Sequence, residues 1–524
     1  VMLDAAGGIE ALGLGIPRAR LRVIFGNDRG SIHELQSGMH GVGRHESCEV
    51  VLNDPAVSRK HFSLDVSETS VRVIDAGSGT IALTADGDVT LGGLITTNAG
   101  GTAVVVTSTS GGLVDGGAAH VDITANSGTV VIDAKTGVGH AGAIDTTITT
   151  LDLDNTTSGN VDINETNALA INQLDQDGPG TVNVDAGGTI TVAGPVTATT
   201  GNVELDANGG SSSIVVNAPV TTDDGAGTAN GGDISLLADD DVTFSAAGDV
   251  TSDGGVVTVT ADIAGGNNGG VITMADGTVI NAGSGTIALT ADGNVTLGQL
   301  VTSNTVAIIS TSAGVVDGGD TGGTDIQAGA VTIDAKTGVG HGNPIETTIT
   351  SLDLDNDTSG NVEISETDAL NIIKIDQDGT GTVNVTAGGT ITVTGPVTAT
   401  AGSVVLDANG VASSILVNNP VTTTGGAVSL LADHDVTFLA AGDVTSANGN
   451  VVVTADADGG AGADSGALTM ADGTVINAGN GTITLSADEN VTLGQLITTN
   501  NTAAAVAITS TVPMESRSVM IVSG

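Results

Sequence analysis

Between Gly38 and Val66 the chain reads GMHGVGRHESCEVVLNDPAVSRKHFSLDV, its densest run of side chains able to do chemistry. Arg44 offers a planar, permanently charged fork and Ser58 a short hydroxyl donor, followed at once by Arg59 and Lys60. A phosphate dianion asks for that combination, provided the loops that carry the two groups converge. Arg44 and Ser58 could supply those contacts, with Arg59 or Lys60 nearby.

The rest of the chain offers less. Beyond residue 75 the basic residues are Lys135, Lys336, Lys374 and Arg517, and the histidines are His120, His140, His341 and His434. Enzymes that cleave acidic polysaccharides on a repetitive β scaffold need basic and aromatic contacts, and here there is no Trp or Tyr. Carboxylates are numerous enough to form a glycosidase pair by chance, but no aromatic cleft accompanies them. No catalytic residue is assigned, and the chain is expected not to be an enzyme. Asp353, Asp355 and Asp357 have the spacing that opens a calcium loop. Thr358 stands where an EF-hand needs glycine and Ile364 where it needs a bidentate Glu, so that loop is rejected. Loosely bound calcium at these three aspartates is the residual metal expectation, and no other cofactor is implied.

The elements that hold these groups follow from composition. The chain has 524 residues with 79 Gly and only four Phe, so its apolar content is small and β-branched, which suits thin stacked layers better than a thick aromatic core. The net charge of −48 argues against nucleic acid, because phosphate backbones are bound by clustered Lys and Arg. Eight of the 12 basic residues precede residue 76, so nearly all the excess negative charge lies after it. The lone Cys48 excludes an internal disulfide, no apolar run approaches a membrane span, and the first residues lack a basic stretch and a cleavage site, so neither membrane insertion nor a signal peptide is expected.

The first part alternates like strands at Arg20–Phe25 and Val71–Asp75, with a turn at Asn27–Gly30. Gly43-Arg44, the strand Cys48–Leu52 and the Ser58-Arg59-Lys60-His61 element occur in the order of a forkhead-associated domain, a small β-sandwich that binds phosphothreonine peptides, and the stretch resembles that family. The resemblance implies that Arg44 and Ser58 hold the phosphate, that Gly43 and His61 are structural, and that a phosphothreonine-bearing protein is the partner. Relatives in the inner ring of type III secretion systems share the general pattern and often lack the binding residues. The family continues past this point with an Asn-Gly loop, whereas here Ser78-Gly79 follows. Either the next strands double as the closing strands of the sandwich, or the sandwich is truncated and its edge needs cover.

GSGTIALTADGDVTLGGL at Gly77–Leu94 returns as GSGTIALTADGNVTLGQL at Gly283–Leu300 and as GNGTITLSADENVTLGQL at Gly479–Leu496. Longer blocks return as well, LDLDNTTSGNVDINETNAL at Leu151 as LDLDNDTSGNVEISETDAL at Leu352, so the region is a tandem duplication of about 200 residues built from a phrase of roughly twenty. Each phrase strings short alternating strands between Gly and Asn/Asp turns, whose residues are expected to take left-handed φ. The pattern resembles bacterial adhesins with filamentous-haemagglutinin-like repeats.

The expected fold is all-β: a right-handed parallel β-helix with a small N-terminal β-sandwich. Residues 1–17 are read as a lead, 18–75 as the forkhead-associated-like head, extending to about 94 if the next strands close it, 76–511 as the solenoid and 512–524 as an irregular tail. The function expected is structural or adhesive, at a bacterial surface, with a host or matrix surface as a further partner. The competing reading is a phosphopeptide-binding module on a rigid spacer, and a remoter one is a β-helix carbohydrate-active enzyme. The solenoid favours a secreted or surface location and the head a cytoplasmic one.

Overall fold

The computed structural model describes residues 19–23, 27–55, 57–66, 71–75, 79–117, 120–139, 142–223, 231–262, 269–319, 321, 323–340, 342–458, 465–502, 504–510 and 521–523. All of its regular structure is strand, and none is helix. By contact density the chain divides into two units, Val1–Gly255 and Val256–Gly524.

The first unit begins with an antiparallel hairpin of β1 (Ala19–Arg22) and β2 (Ile32–Leu35). Next come β3 (Gly38–Gly43), β4 (Val50–Val51), β5 (Phe62–Val66) and β6 (Val71–Asp75). β5 lies antiparallel between β3 and β6, and β4 runs parallel beside β3. The free edge of β6 pairs in parallel with β9 (Leu94–Thr96), Val73 opposite Leu94. With β7 (Ile81–Ala85) and β8 (Val89–Leu91), β9 makes the first coil of a parallel solenoid. The second coil stacks on it through β10 (Thr102–Ser108), β11 (Leu113–Asp115) and the start of β12 (Ile123–Ala134), with β13 (Ile144–Asn155) following. The described strands of this first repeat copy are thus built as a solenoid coil, and the head's last strand supplies the edge on which it rests.

Later coils settle into a regular phrase. Val182–Ala186, Ile190–Val192 and Val196–Ala198 stack in register on Val203–Ala207, Ile214–Val216 and Val220–Thr222. In every one of these strands the first, third and, where present, fifth positions, which are Val, Ile, Leu, Ala or the closing Thr222, are buried, and the alternating positions, Thr, Asn, Asp, Glu204 and Val215, are not. A narrow interior of small β-branched side chains leaves room for one large ring, and Phe244 fills it.

The corners are set by a column of glycines. A Cβ built on Gly180 would lie 2.1 Å from the Gly159 carbonyl oxygen, one on Gly201 1.7 Å from that of Gly180, and those on Gly232 and Gly255 2.2 Å from the oxygen below. Except for Gly159, at φ +83°, none of this column has a left-handed φ. The sequence reading attributed turn glycines to φ; here the reason is proximity, since no side chain fits between coils about 4.8 Å apart.

The second unit has the same construction. Val383–Ala387, Ile391–Val393 and Val397–Ala399 stack on Val404–Ala408, Ile415–Val417 and Val421–Thr423, and Phe438 is its buried ring. Its glycine column runs through Gly360, Gly381, Gly402, Gly426, Gly449 and Gly481, each added Cβ lying 1.6 to 2.1 Å from the preceding carbonyl oxygen. Ile521–Ser523, inside the tail expected to be irregular, forms a strand parallel to Gln495–Thr498.

Two outcomes follow. Gly402→Ala forces its methyl against Gly381 and is expected to lower stability by about 2 kcal/mol or more in denaturant unfolding, whereas Gly87→Ala, with open space around its Cβ position and no left-handed φ, should cost less than about 1 kcal/mol. Burial is the main cause that raises the carboxyls of Asp206 to about 6, Asp122 to about 7 and Asp325 to about 8. The folded chain then holds protons that the unfolded chain has released above about pH 4, so stability must fall as pH rises through 4 to 8. A thermal midpoint higher at pH 5 than at pH 8, measured in chelator, checks the sign; the reverse order refutes it.

Candidate functional site

The loops after β3 and before β5 converge because the backbone zips them together. The amide of Arg44 donates to the Ser58 carbonyl at 3.1 Å, that of His45 to the Arg59 carbonyl at 3.0 Å, and that of His61 to the Val42 carbonyl at 2.7 Å. Gly43 permits this contact: a Cβ there would lie 2.5 Å from the Arg59 carbonyl oxygen and 2.9 Å from the His61 nitrogen. Cys48 is buried beneath, its Sγ 3.5 Å from the same Arg59 carbonyl.

Within this frame Arg44, Ser58, Arg59, Lys60 and His61 are all exposed. The Ser58 Oγ donates to the Lys60 carbonyl at 3.0 Å and lies 3.2 Å from His61 Nδ1, so the histidine sits against the serine. His61 in turn meets Phe62 edge to face, with ring centroids 5.6 Å apart. Among the described residues neither Arg44 nor Arg59 makes a side-chain hydrogen bond or ion pair, which leaves both guanidinium groups available to an incoming anion. Glu49 is a brace that the sequence reading did not single out. Its Oε2 accepts the Gly41 amide at 2.7 Å, and that bond holds its carboxyl below the ordinary range, helped by its own backbone amide and by His40 and Lys60. Its place one residue before Val50 on a strand edge gives no sign of this in sequence.

The acidic candidates lie elsewhere. Asp353 and Asp355 alternate outward on Ile345–Asn356, and Asp357 follows it. Lys374 reaches both carboxylate oxygens of Asp355 at 2.7 Å, and Lys336 pairs with Asp357 and, at 3.6 Å, Asp334. Ammonium groups therefore stand where loosely held calcium was expected. Lys135 pairs in the same way with Asp133 at 3.4 Å. His140 and His341 lie outside the described residues. A shallow depression of about 430 Å³ in the second unit is lined by Thr302, Gln327, Thr350, Asp368 and small residues, without a basic or aromatic side chain. No helix of the structure is long and apolar enough to cross a membrane.

Comparison with known proteins places one match on the chain. The family described as the inner membrane component of the type III secretion system, cytoplasmic domain, matches residues 22–101. No curated protein and no solved structure matches the chain. The matched span covers the converging loops and continues through β7, β8 and β9, which are the first solenoid coil.

Gly43→Ala is expected to pry the two loops apart. Hydrogen exchange at the amides of Arg44, His45 and His61 should accelerate at least about tenfold while amides in β13 keep their protection; unchanged exchange at all three would show that the contact does not depend on glycine.

Proposed function

We propose that the chain is a structural, adhesive protein of a bacterial surface, an acidic β-solenoid whose N-terminal head recognises a phosphothreonine-bearing protein. The observation that carries this reading is the parallel pairing of β6 with β9. It makes the head part of the same ladder as the first coils, so a partner held at Arg44 and Ser58 is fixed to the solenoid without a hinge. The family match over residues 22–101 supports a secretion-related assembly as the setting of the head. The role is non-catalytic: the solenoid's lysines are engaged by aspartates, and its outer face is rows of Thr, Asn and Asp suited to presenting surface to a host or matrix.

A second reading, in which recognition of the phosphopeptide is itself the function and the solenoid a spacer, draws support from the unpaired guanidinium groups of Arg44 and Arg59. Both readings share the head's chemistry. Titration of a phosphothreonine peptide library against the full chain should give saturable binding that falls about tenfold or more in Arg44→Ala, since a charge-assisted bidentate contact is removed. Unphosphorylated peptides should not bind. Absence of phosphopeptide binding, or binding that the substitution leaves intact, would reduce the head to a cap on the first coil. Adhesion of the labelled chain to host or matrix surfaces, undiminished in Arg44→Ala, separates the adhesive solenoid from the spacer.

A further inference from the structure

Two acidic clusters occupy matching places in the duplicated sequence. In the first unit β11 ends at Asp115, whose Oδ1 accepts the Gly117 amide at 2.7 Å; Asp122 leads into β12, and Asp145 is the second residue of β13. Asp122 belongs to the ladder: its amide donates to the Asp145 carbonyl at 2.8 Å and its carbonyl accepts the Leu94 amide at 2.7 Å. Its Oδ2 accepts the Asp145 amide at 3.0 Å. The second unit repeats each bond. Asp317 Oδ1 accepts the Gly319 amide at 2.7 Å, the Asp325 amide donates to the Glu346 carbonyl at 2.9 Å, the Asp325 carbonyl accepts the Leu300 amide at 2.7 Å, and Asp325 Oδ2 accepts the Glu346 amide at 3.0 Å.

In Asp122 those bonds account for one carboxylate oxygen and leave the other. Asp122 is fully buried, 0 % exposed, and its Oδ1 has no hydrogen-bond partner. The facing group is His120 Nε2, which also lacks a partner and lies 4.0 Å away. That gap is too long for a hydrogen bond, and it is a spacing at which two ligands reach one ion from about 2.0 to 2.5 Å each. In the second cluster Asp325 is 3 % exposed, and Asp317, Asp325 and Glu346 each bring a carboxylate oxygen within 4.8 Å of the other two. The charged neighbours that raise each buried carboxyl are acidic: Asp115 and Asp145 in one cluster, Asp317 and Glu346 in the other. A buried carboxylate among like charges calls for a cation. Elsewhere in the duplication a lysine supplies it, as Lys374 does for Asp355 and Asp376, at 2.7 and 3.6 Å. Neither of these clusters has a lysine.

We propose that His120 and Asp122 in the first unit, flanked by Asp115 and Asp145, and Asp317, Asp325 and Glu346 in the second, are two divalent-cation sites. The oxygen-only set of the second suits calcium, and the imidazole of His120 widens the first towards manganese or zinc. In each, the ion neutralises a carboxylate that the coil stack buries without a counter-charge. These sites are separate from the Asp353, Asp355 and Asp357 row, which lysines neutralise.

Calorimetric titration of the chelator-stripped full chain with calcium, in enough salt to screen the diffuse surface charge, tests the assignment. Two saturable equivalents are expected, one in each of Asp122→Asn and Asp325→Asn, and none in the double variant, in which asparagine keeps the backbone acceptor. Asp115→Asn and Asp317→Asn leave the buried groups untouched; each should weaken one site about tenfold or more with the circular dichroism spectrum unchanged. Manganese or zinc should compete better for the equivalent lost in Asp122→Asn than for the one lost in Asp325→Asn. Asp407→Asn, which lies outside both clusters, should retain both equivalents. Absence of saturable binding, or a double variant that binds like the parent, would overturn the proposal.

Discussion

The structure depends on one distance, that between the backbone of a corner glycine and the carbonyl oxygen of the coil beneath it. With an added Cβ only 1.6 Å from the Gly360 oxygen at Gly381, and 1.7 Å from the Gly180 oxygen at Gly201, no other residue closes those corners at that spacing. Once a corner is closed, the strands on either side fall into register, and the alternation of Val, Ile and Leu with Thr, Asn and Asp decides which face turns inward. Stability is then built coil upon coil, from small side chains stacked on their counterparts and not from a thick aromatic core.

Stacking carries an electrostatic consequence. In-register coils place like residues above like residues, so an acidic position becomes an acidic row, as where Asp185 stands opposite Asp206. Burial and neighbouring carboxylates raise both groups. Lysines interrupt such rows: Lys374 stands where the first copy of the duplication has Gln173, and that first copy keeps Asp154 beside Asp175 and Asp177 without an equivalent cation. In the head, Arg44 and Arg59 are displayed on loops, and Glu49 is committed to a backbone amide.

The fold class was legible in the sequence because strand alternation and repeat length are one-dimensional quantities. Ile287 and Leu289 around Ala288 announce a strand whatever lies above it. The loops of Arg44 and Ser58 were legible as a motif, and their convergence followed from Gly43, whose role is local. Left-handed φ holds at turn glycines such as Gly137, Gly338 and Gly340, but most of the corner column owes its glycines to contact with the preceding coil, which is tertiary and leaves no trace in φ preference. Asp122 and Asp325 were not legible at all. Among 60 acidic residues nothing in their neighbours distinguishes them, and their burial arises only when the coil after each one supplies an amide to its carboxylate.

The seam at β6 has a genetic meaning. From Val73 the chain reads VIDAGSGTIALTADG, and from Val279 VINAGSGTIALTADG; Val73–Asp75 rests on Leu94–Thr96 as Val279–Gly283 rests on Gln299–Thr302. The head therefore ends in a segment interchangeable with an internal one. Unequal crossing-over between such copies would add or delete a whole repeat while leaving the junction with the head unaltered, so chain length can drift without the N-terminal head being rebuilt.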